Sequence, residues 1–365
     1  ETGAEYVGLD FSHESVTAAR ALCASRADLA HVQIEERTAD DTAHLPAGRF
    51  DLVILNSIVQ YFPGVEYLER VVQGALRLMA PGGRIFLGDL RHLELLPAFQ
   101  ASIALHKALE SGGTTPTPEL RTRTERGVRN EEELLLSPAI FTHWKNRWPA
   151  ITAVEITPKR GHARNELTKY RYEAVLLTNG DDVHAPIAPT WHDATSMTLD
   201  DIAAKLLSDS EDVVAFTRID NARTRDDRFT QMALSEHASQ STDTALKTAT
   251  DLHTALRSQH PAVSTRTLDP EALHALAHEH GFTLRLSLAA ASPDGALDAV
   301  FTRGDAARQA IEWPAPTHLE RPLANDPIAP IIATRLAPEI KIWIAERLPD
   351  YMVPVSYTHL RAHET

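Results

Sequence analysis

The sequence predicts an α/β fold built on a parallel, doubly wound sheet. Two observations carry that expectation. Short apolar runs alternate with helix-period segments from residue 5 to about residue 90, and polar side chains collect just after each run. Residues 5–10 (EYVGLD) read as a first strand. Residues 12–25 read as a helix, with Ser12 placed to cap it and Glu14 in its first turn. Residues 31–36 (HVQIEE) form a second strand. Residues 50–57 (FDLVILNS) form a third, apolar almost throughout, as befits a strand buried on both faces. Residues 66–80 are helical, and Pro81-Gly82-Gly83 then turns the chain into a fourth strand at 84–89 (RIFLGD).

At 365 residues the chain has room for two or three domains. Hydrophobic content of 43% and charged content of 24% are those of a globular protein. The net charge of −14 argues against a nucleic-acid partner, which would require a basic face, and is compatible with a small-molecule enzyme. One cysteine, Cys23, excludes a disulfide framework and a Cys-based zinc site, and its helical position reads as a small buried side chain. No apolar run is long enough to span a bilayer, and a cytoplasmic enzyme without a membrane partner is expected.

In a doubly wound sheet, ligands sit at the carboxyl ends of the strands. Here Asp10 ends the first visible strand, Asp40 and Asp41 follow the second, Asn56 ends the third and Asp89 the fourth. A carboxylate at the Asp10 position can accept two hydrogen bonds from a ribose diol. Such a site also needs a strand and a Gly-rich turn ahead of Asp10, where backbone approaches the ligand closely. The chain opens Glu1-Thr2-Gly3, so the first strand and glycine turn are expected to lie outside it. On that reading this chain alone binds its nucleotide weakly, and the edges flanking the gap favour aggregation.

The run FDLVILNSIVQYFP, followed by EYLERVV, APGGRIFLGDLR, EEELL and PKRGHARNELTKYRYEAVL, resembles the N-methyltransferase domain of nonribosomal peptide synthetases. The resemblance extends through VAFTRIDNAR, LDPEALHALAHEHGF and ASPDGALDAVFTRG to about residue 312. It implies a Rossmann-like, class I S-adenosylmethionine-dependent methyltransferase sheet lacking its first strand, with a smaller C-terminal α/β subdomain. The methyltransferase core would occupy residues 1–182 and the C-terminal part 183–312. In that family the domain interrupts an adenylation domain, and residues 324–354 resemble the adenylation chain resuming, so 313–354 reads as a remnant of that subdomain. Its amphipathic stripe is Leu336, Ile340, Ile344 and Leu348, with Glu339, Lys341, Glu346 and Arg347 off it. Residues 355–365 (VSYTHLRAHET) resemble a translated transposase-type sequencing adapter. On that reading Tyr357, His359, Arg361, His363 and Glu364 have no biological role.

The implied reaction moves a methyl group from S-adenosylmethionine to the α-amino nitrogen of an aminoacyl thioester. That substrate would be held on a phosphopantetheinyl carrier protein, beside adenylation and condensation domains of the same synthetase. An α-amino group titrates near pH 8, so a strong base is not required, and in-line placement supplies much of the rate. The resemblance assigns Asp10 to the ribose, Asp40 to the adenine edge, and Asn56 with Ser57 to the methionine side. Tyr61 follows closely enough to reach the sulfonium or the amine; packing beside Phe62 is the other reading. Asp89 and Arg91 come next, Arg91 being equally a surface partner of Glu94. Asn165 or Glu166 would orient the amine, with His162 a weaker base. No metal is expected: His274 and His278 stand i, i+4, but on a helix with its own cap (Asp269), first-turn proline (Pro270) and stop (Gly281) and no third ligand. The acidic residues 131–133 read as a helix start, 111–118 as a loop over the site and 181–192 as a linker. A carbon or oxygen methyltransferase of a related assembly line, or a non-catalytic spacer, are the competing readings.

Overall fold

The computed structural model describes residues 4–178, 186–208, 211–235, 246–263, 267–316 and 320–347. The adapter-like tail and residues 181–185 of the expected linker lie outside them. The chain opens with β1 (Tyr6–Asp10), α1 (His13–Ala24) and β2 (Val32–Glu36), the two strands pairing in parallel from Tyr6↔Val32 to Asp10↔Glu36. Ser12 caps α1 as expected, its Oγ accepting from Ser15 N at 3.2 Å. Cys23 is half-exposed on that helix rather than buried, because α1 turns only Val16 fully inward.

Next come β3 (Phe50–Asn56), α2 (Val65–Leu78) and β4 (Met79–Arg91), with β3 and β4 parallel. In α2 the residues Leu68, Val72 and Ala75 recur at helical spacing and are buried; each large one contributes about 2 kcal/mol of burial. The Pro81-Gly82-Gly83 turn falls inside β4 as a bulge, where Phe50 pairs Met79 and Leu52 already pairs Arg84. Helices α3 (Leu96–Glu110), α4 (Thr117–Arg129) and α5 (Ala139–Arg147) precede β5 (Ile151–Pro158), the short α6 (Glu166–Tyr170) and β6 (Arg171–Thr178). The latter two strands run antiparallel, giving a mixed sheet ordered β3-β4-β6-β5.

The remaining elements are β7 (Trp191–Asp193), α7 (Leu199–Ser208), β8 (Val213–Ile219), α8 (Arg225–Leu234), α9 (Ala249–Val263), α10 (Pro270–Glu279), β9 (Thr283–Ser287), β10 (Leu297–Thr302) and α11 (Ala329–Ala345). They build a second four-stranded sheet, β7-β8-β10-β9. Just past β9, Leu288 N donates to Ile156 O of β5 at 3.0 Å, so the two sheets meet edge to edge. One buried cluster runs through both, from Leu87, Trp144 and Tyr172 to Phe216 and Phe301. A separate cluster joins Leu105 of α3, Leu120 of α4, Leu234 of α8 and Leu252 of α9. The 111–118 loop belongs to that helical cluster, Thr117 N donating to Lys247 O and Ala249 N to Thr115 O.

Four expectations are corrected. β3 is not buried on both faces: Val53 and Leu55 turn inward, while Leu52 and Ile54 are 51% and 55% exposed. Among the described residues no strand lies between β1 and β3, which leaves that face open. Residues 131–133 do not start a helix, since α5 begins at Ala139. Their carboxylates turn instead to Arg91, which is neither at the strand-end site nor on the surface with Glu94. It is buried and bonded to Glu131 (2.8 Å) and Glu133 (2.9 Å), because at the buried end of β4 a guanidinium needs carboxylate partners. The C-terminal helix starts at Ala329, earlier than its apolar stripe suggested, and passes through Pro338. Asn325 just before it accepts from Leu135 N and donates to Glu133 O, which fixes the returning chain on the segment ahead of α5. Among the described residues no helix is long and apolar enough to cross a membrane.

Candidate active site

The backbone just past β3 and at the irregularity between Leu87 and Leu90 of β4 is unusual. Ser57 (φ 58°) and Asp89 (φ 63°) both adopt the left-handed conformation that non-glycine residues avoid. Such geometry costs of order 1–3 kcal/mol per residue and persists where surrounding bonds enforce it. Here they do: Ser57 N donates to Gly88 O at 3.2 Å, and Ser57 Oγ donates to Asp89 Oδ2 at 3.3 Å. A Cβ at Gly88, between them, would meet Asn56 Oδ1 and the Phe86 ring, so a larger residue there would displace those side chains. Asn56 Nδ2 in turn reaches Ser57 Oγ at 3.3 Å.

Asp89 is the centre of the cluster. Its carboxylate receives Lys159 Nζ at 2.9 Å and Arg171 Nη1 at 2.7 Å. Burial alone would raise its pKa, but the Lys159 hydrogen bond and the Arg171 charge outweigh burial and hold it below the usual carboxylate range. Arg171 also donates to Glu166 Oε1 at 2.9 Å, which ties the head of α6 to the end of β4. The second Glu166 oxygen takes no partner among the described residues. Asn165 serves the same segment differently. Its Oδ1 accepts from Thr168 N and the Thr168 hydroxyl accepts from Asn165 N, a reciprocal capping box that starts α6. His162 is exposed in the preceding loop.

The structure therefore brings Asn56, Ser57 and Glu166 to one place, through Asp89. Tyr61 is 72% exposed on the short turn after β3, so it does not pack into the core beside Phe62; that ring meets Tyr67 instead. Asp10 lies at the end of β1 in the separate two-stranded sheet, and no hydrogen bond joins it to Asn56 or Asp89 among the described residues. Its Oδ1 accepts from Ser12 N at 2.8 Å, and its other oxygen takes no partner among the described residues. Burial raises the Asp40 carboxyl, but Thr38 and Tyr67 hydroxyls and nearby Arg70 leave it below the usual range. Sequence reasoning passed over Lys159 and Arg171 as partners of Asp89. Their only signal was basic residues flanking a strand end, whereas the register that aims them at one carboxylate is a property of the folded sheet.

Comparison with known proteins gives this geometry a context. Residues 1–85 match a methyltransferase domain family. Over 96% of its length the chain is 39% identical to the chondramide synthase cmdD of Chondromyces crocatus, 9% of which it covers. Residues 1–85 thus match a methyltransferase domain family, and nearly the whole chain is similar to a segment of a nonribosomal peptide synthetase. A second relative, the bassianolide nonribosomal cyclodepsipeptide synthetase of Beauveria bassiana, is 34% identical over 96% of this chain and 11% of its own length. The chain spans about a tenth of the curated relatives it matches. Among solved structures, the N-methyltransferase NodS from Bradyrhizobium japonicum WM9, in complex with S-adenosyl-L-homocysteine, is similar at 14% identity with a TM-score of 0.29, over 47% of this chain and 65% of that one.

Proposed function

We propose that this methyltransferase domain transfers a methyl group from S-adenosylmethionine to the α-amino nitrogen of an aminoacyl thioester. The substrate would be carried by a phosphopantetheinyl protein of the same synthetase, between adenylation and condensation steps. S-adenosylmethionine supplies the electrophilic methyl group. The chain's own residues fit its parts: the Asp10 carboxylate at the end of β1 suits a ribose diol, Asp40 beside Tyr67 suits the adenine edge, and Asn56 with Ser57 suits the methionine end. Among the described residues β1 and β3 each present an edge without a strand partner.

The observation that carries the reading is the chain of bonds Glu166–Arg171–Asp89, which holds a carboxylate of the 159–166 loop at the carboxyl end of β4. A carboxylate held there can accept a hydrogen bond from the neutral amine, which has lost its ammonium proton to solvent, and fix its lone pair toward the methyl group as the methyl–sulfur bond breaks. Tyr61, exposed on the turn after β3, would offer its ring face to a cation. The test is mass spectrometry of an aminoacyl thioester incubated with S-adenosylmethionine and the synthetase module that contains this chain. The expected product carries one methyl on nitrogen, and Glu166→Gln lowers kcat about a hundred-fold. A product methylated on carbon or oxygen would overturn the amine assignment.

A further inference from the structure

Arg223, in the turn between β8 and α8, carries its guanidinium into the interior with a side chain only 1% exposed. A buried guanidinium is costly unless its forked donors find acceptors. Here nearly all of them come from one loop. Nη1 donates to Lys159 O at 2.7 Å and Thr168 O at 3.3 Å, and Nη2 donates to Gly161 O at 2.6 Å. Nη2 also reaches Glu271 Oε1 at 3.4 Å. Glu271, at the head of α10, accepts from Gly161 N at 2.9 Å and from Arg160 at 2.7 and 2.8 Å. Gly161 is thus held from both sides, its N–H by Glu271 and its carbonyl by Arg223, at a φ of 140° that favours glycine.

The loop held in this way carries the candidate site at both ends. Lys159 reaches Asp89 directly, and Glu166 reaches it through Arg171. The turn that bears Arg223 is itself fixed, since Asn221 Oδ1 accepts from Arg223 N at 3.0 Å and Ala222 N donates to Leu268 O at 3.1 Å. We propose that Arg223, backed by Glu271, is a positioning residue through which the second sheet sets the 159–168 loop, and with it Lys159 and Glu166, against the end of β4. The inference rests on the reading of Glu166 as the group that orients the amine.

The test compares wild type, Arg223→Gln and Arg223→Lys in the synthetase module that contains this chain. Displacing Glu166 by an ångström is expected to lower kcat for amine methylation about a hundred-fold. The KM for S-adenosylmethionine stays unchanged, because its proposed contacts follow β1, β2 and β3 and none lies in the 159–168 loop. Arg223→Lys, the variant gentler to folding, recovers no more than about ten-fold, since one ammonium cannot meet carbonyls arrayed for a planar fork. Hydrogen exchange adds a readout independent of turnover: amides of residues 161–168 exchange faster in Arg223→Gln while β4 and β6 keep their protection. Three outcomes overturn the proposal: a raised cofactor KM with unchanged kcat, full recovery by lysine, or loss of protection throughout β4 and β6. A wild-type module that methylates no amine would instead refute the functional reading, and the exchange measurement would still decide the clasp.

Discussion

Single side chains in this domain are read best through the bonds that the fold forces on them. Glu271 is an example: its hydrogen bonds to Arg160 hold its carboxyl at about 2, against an ordinary 4.5, with Gly161 N assisting. A folded pKa below the unfolded one stabilises the protein above the unfolded value and is lost as pH falls toward the folded one. The gap between wild type and Glu271→Gln in urea-unfolding free energy is therefore expected to be about 3 kcal/mol at neutral pH and to close between pH 4.5 and about 2. Asp89 is held low by the same kind of partnership, and replacing it with alanine leaves Lys159 only the more distant Glu173 and Arg171 only Glu166, two cations side by side in a mostly buried place. A loss of about 3 kcal/mol in unfolding free energy is expected on denaturation. Neither partnership was legible in the sequence, because Arg171 lies 82 positions from Asp89 and Glu271 lies 111 from Arg160.

Elements divide by how local their causes are. Caps are local, and those of α1 and α10 stand where the sequence put them: Ser12, and Asp269 with Pro270 ahead of Gly281 at φ 73°. The capping box of α6 is local too, yet it changes what Asn165 means, since its carbonyl is committed to the helix start. Asn165→Ala is expected to cost about 1 kcal/mol in thermal unfolding, the cost of a lost cap. If Asn165 also held the amine, the variant would lower kcat beyond what that loss of stability explains. Segment 131–136 shows the opposite case. Its acidic run has the composition of a helix N-terminus, but buried Arg91 on β4 draws Glu131 and Glu133 into ion pairs, and tertiary charge outweighs a weak local preference.

At the scale of the molecule, the open face between β1 and β3 dominates behaviour. Tyr6, Phe11, Leu52 and Ile54 are all exposed there, beside strand edges that lack partners among the described residues. Apolar surface next to free strand edges favours association. This chain studied by itself is expected to self-associate in sedimentation velocity, and Leu52→Lys with Ile54→Lys to shift it toward monomer. A sedimentation profile independent of concentration in the unsubstituted chain would refute this. The sequence by itself determined the α/β class, the strand and helix order through β4, the helix caps and the strand ends at Asp10 and Asn56, because hydrophobic period and capping chemistry act within a few residues; β4, expected to end at Asp89, runs on to Arg91. Only the tertiary structure decided that β5 and β6 run antiparallel, that Lys159, Arg171 and Glu166 converge on Asp89, and that Arg223 reaches across from the second sheet. Strand order and long-range ion pairs depend on which surfaces meet once the core closes, and no spacing along the chain encodes that directly.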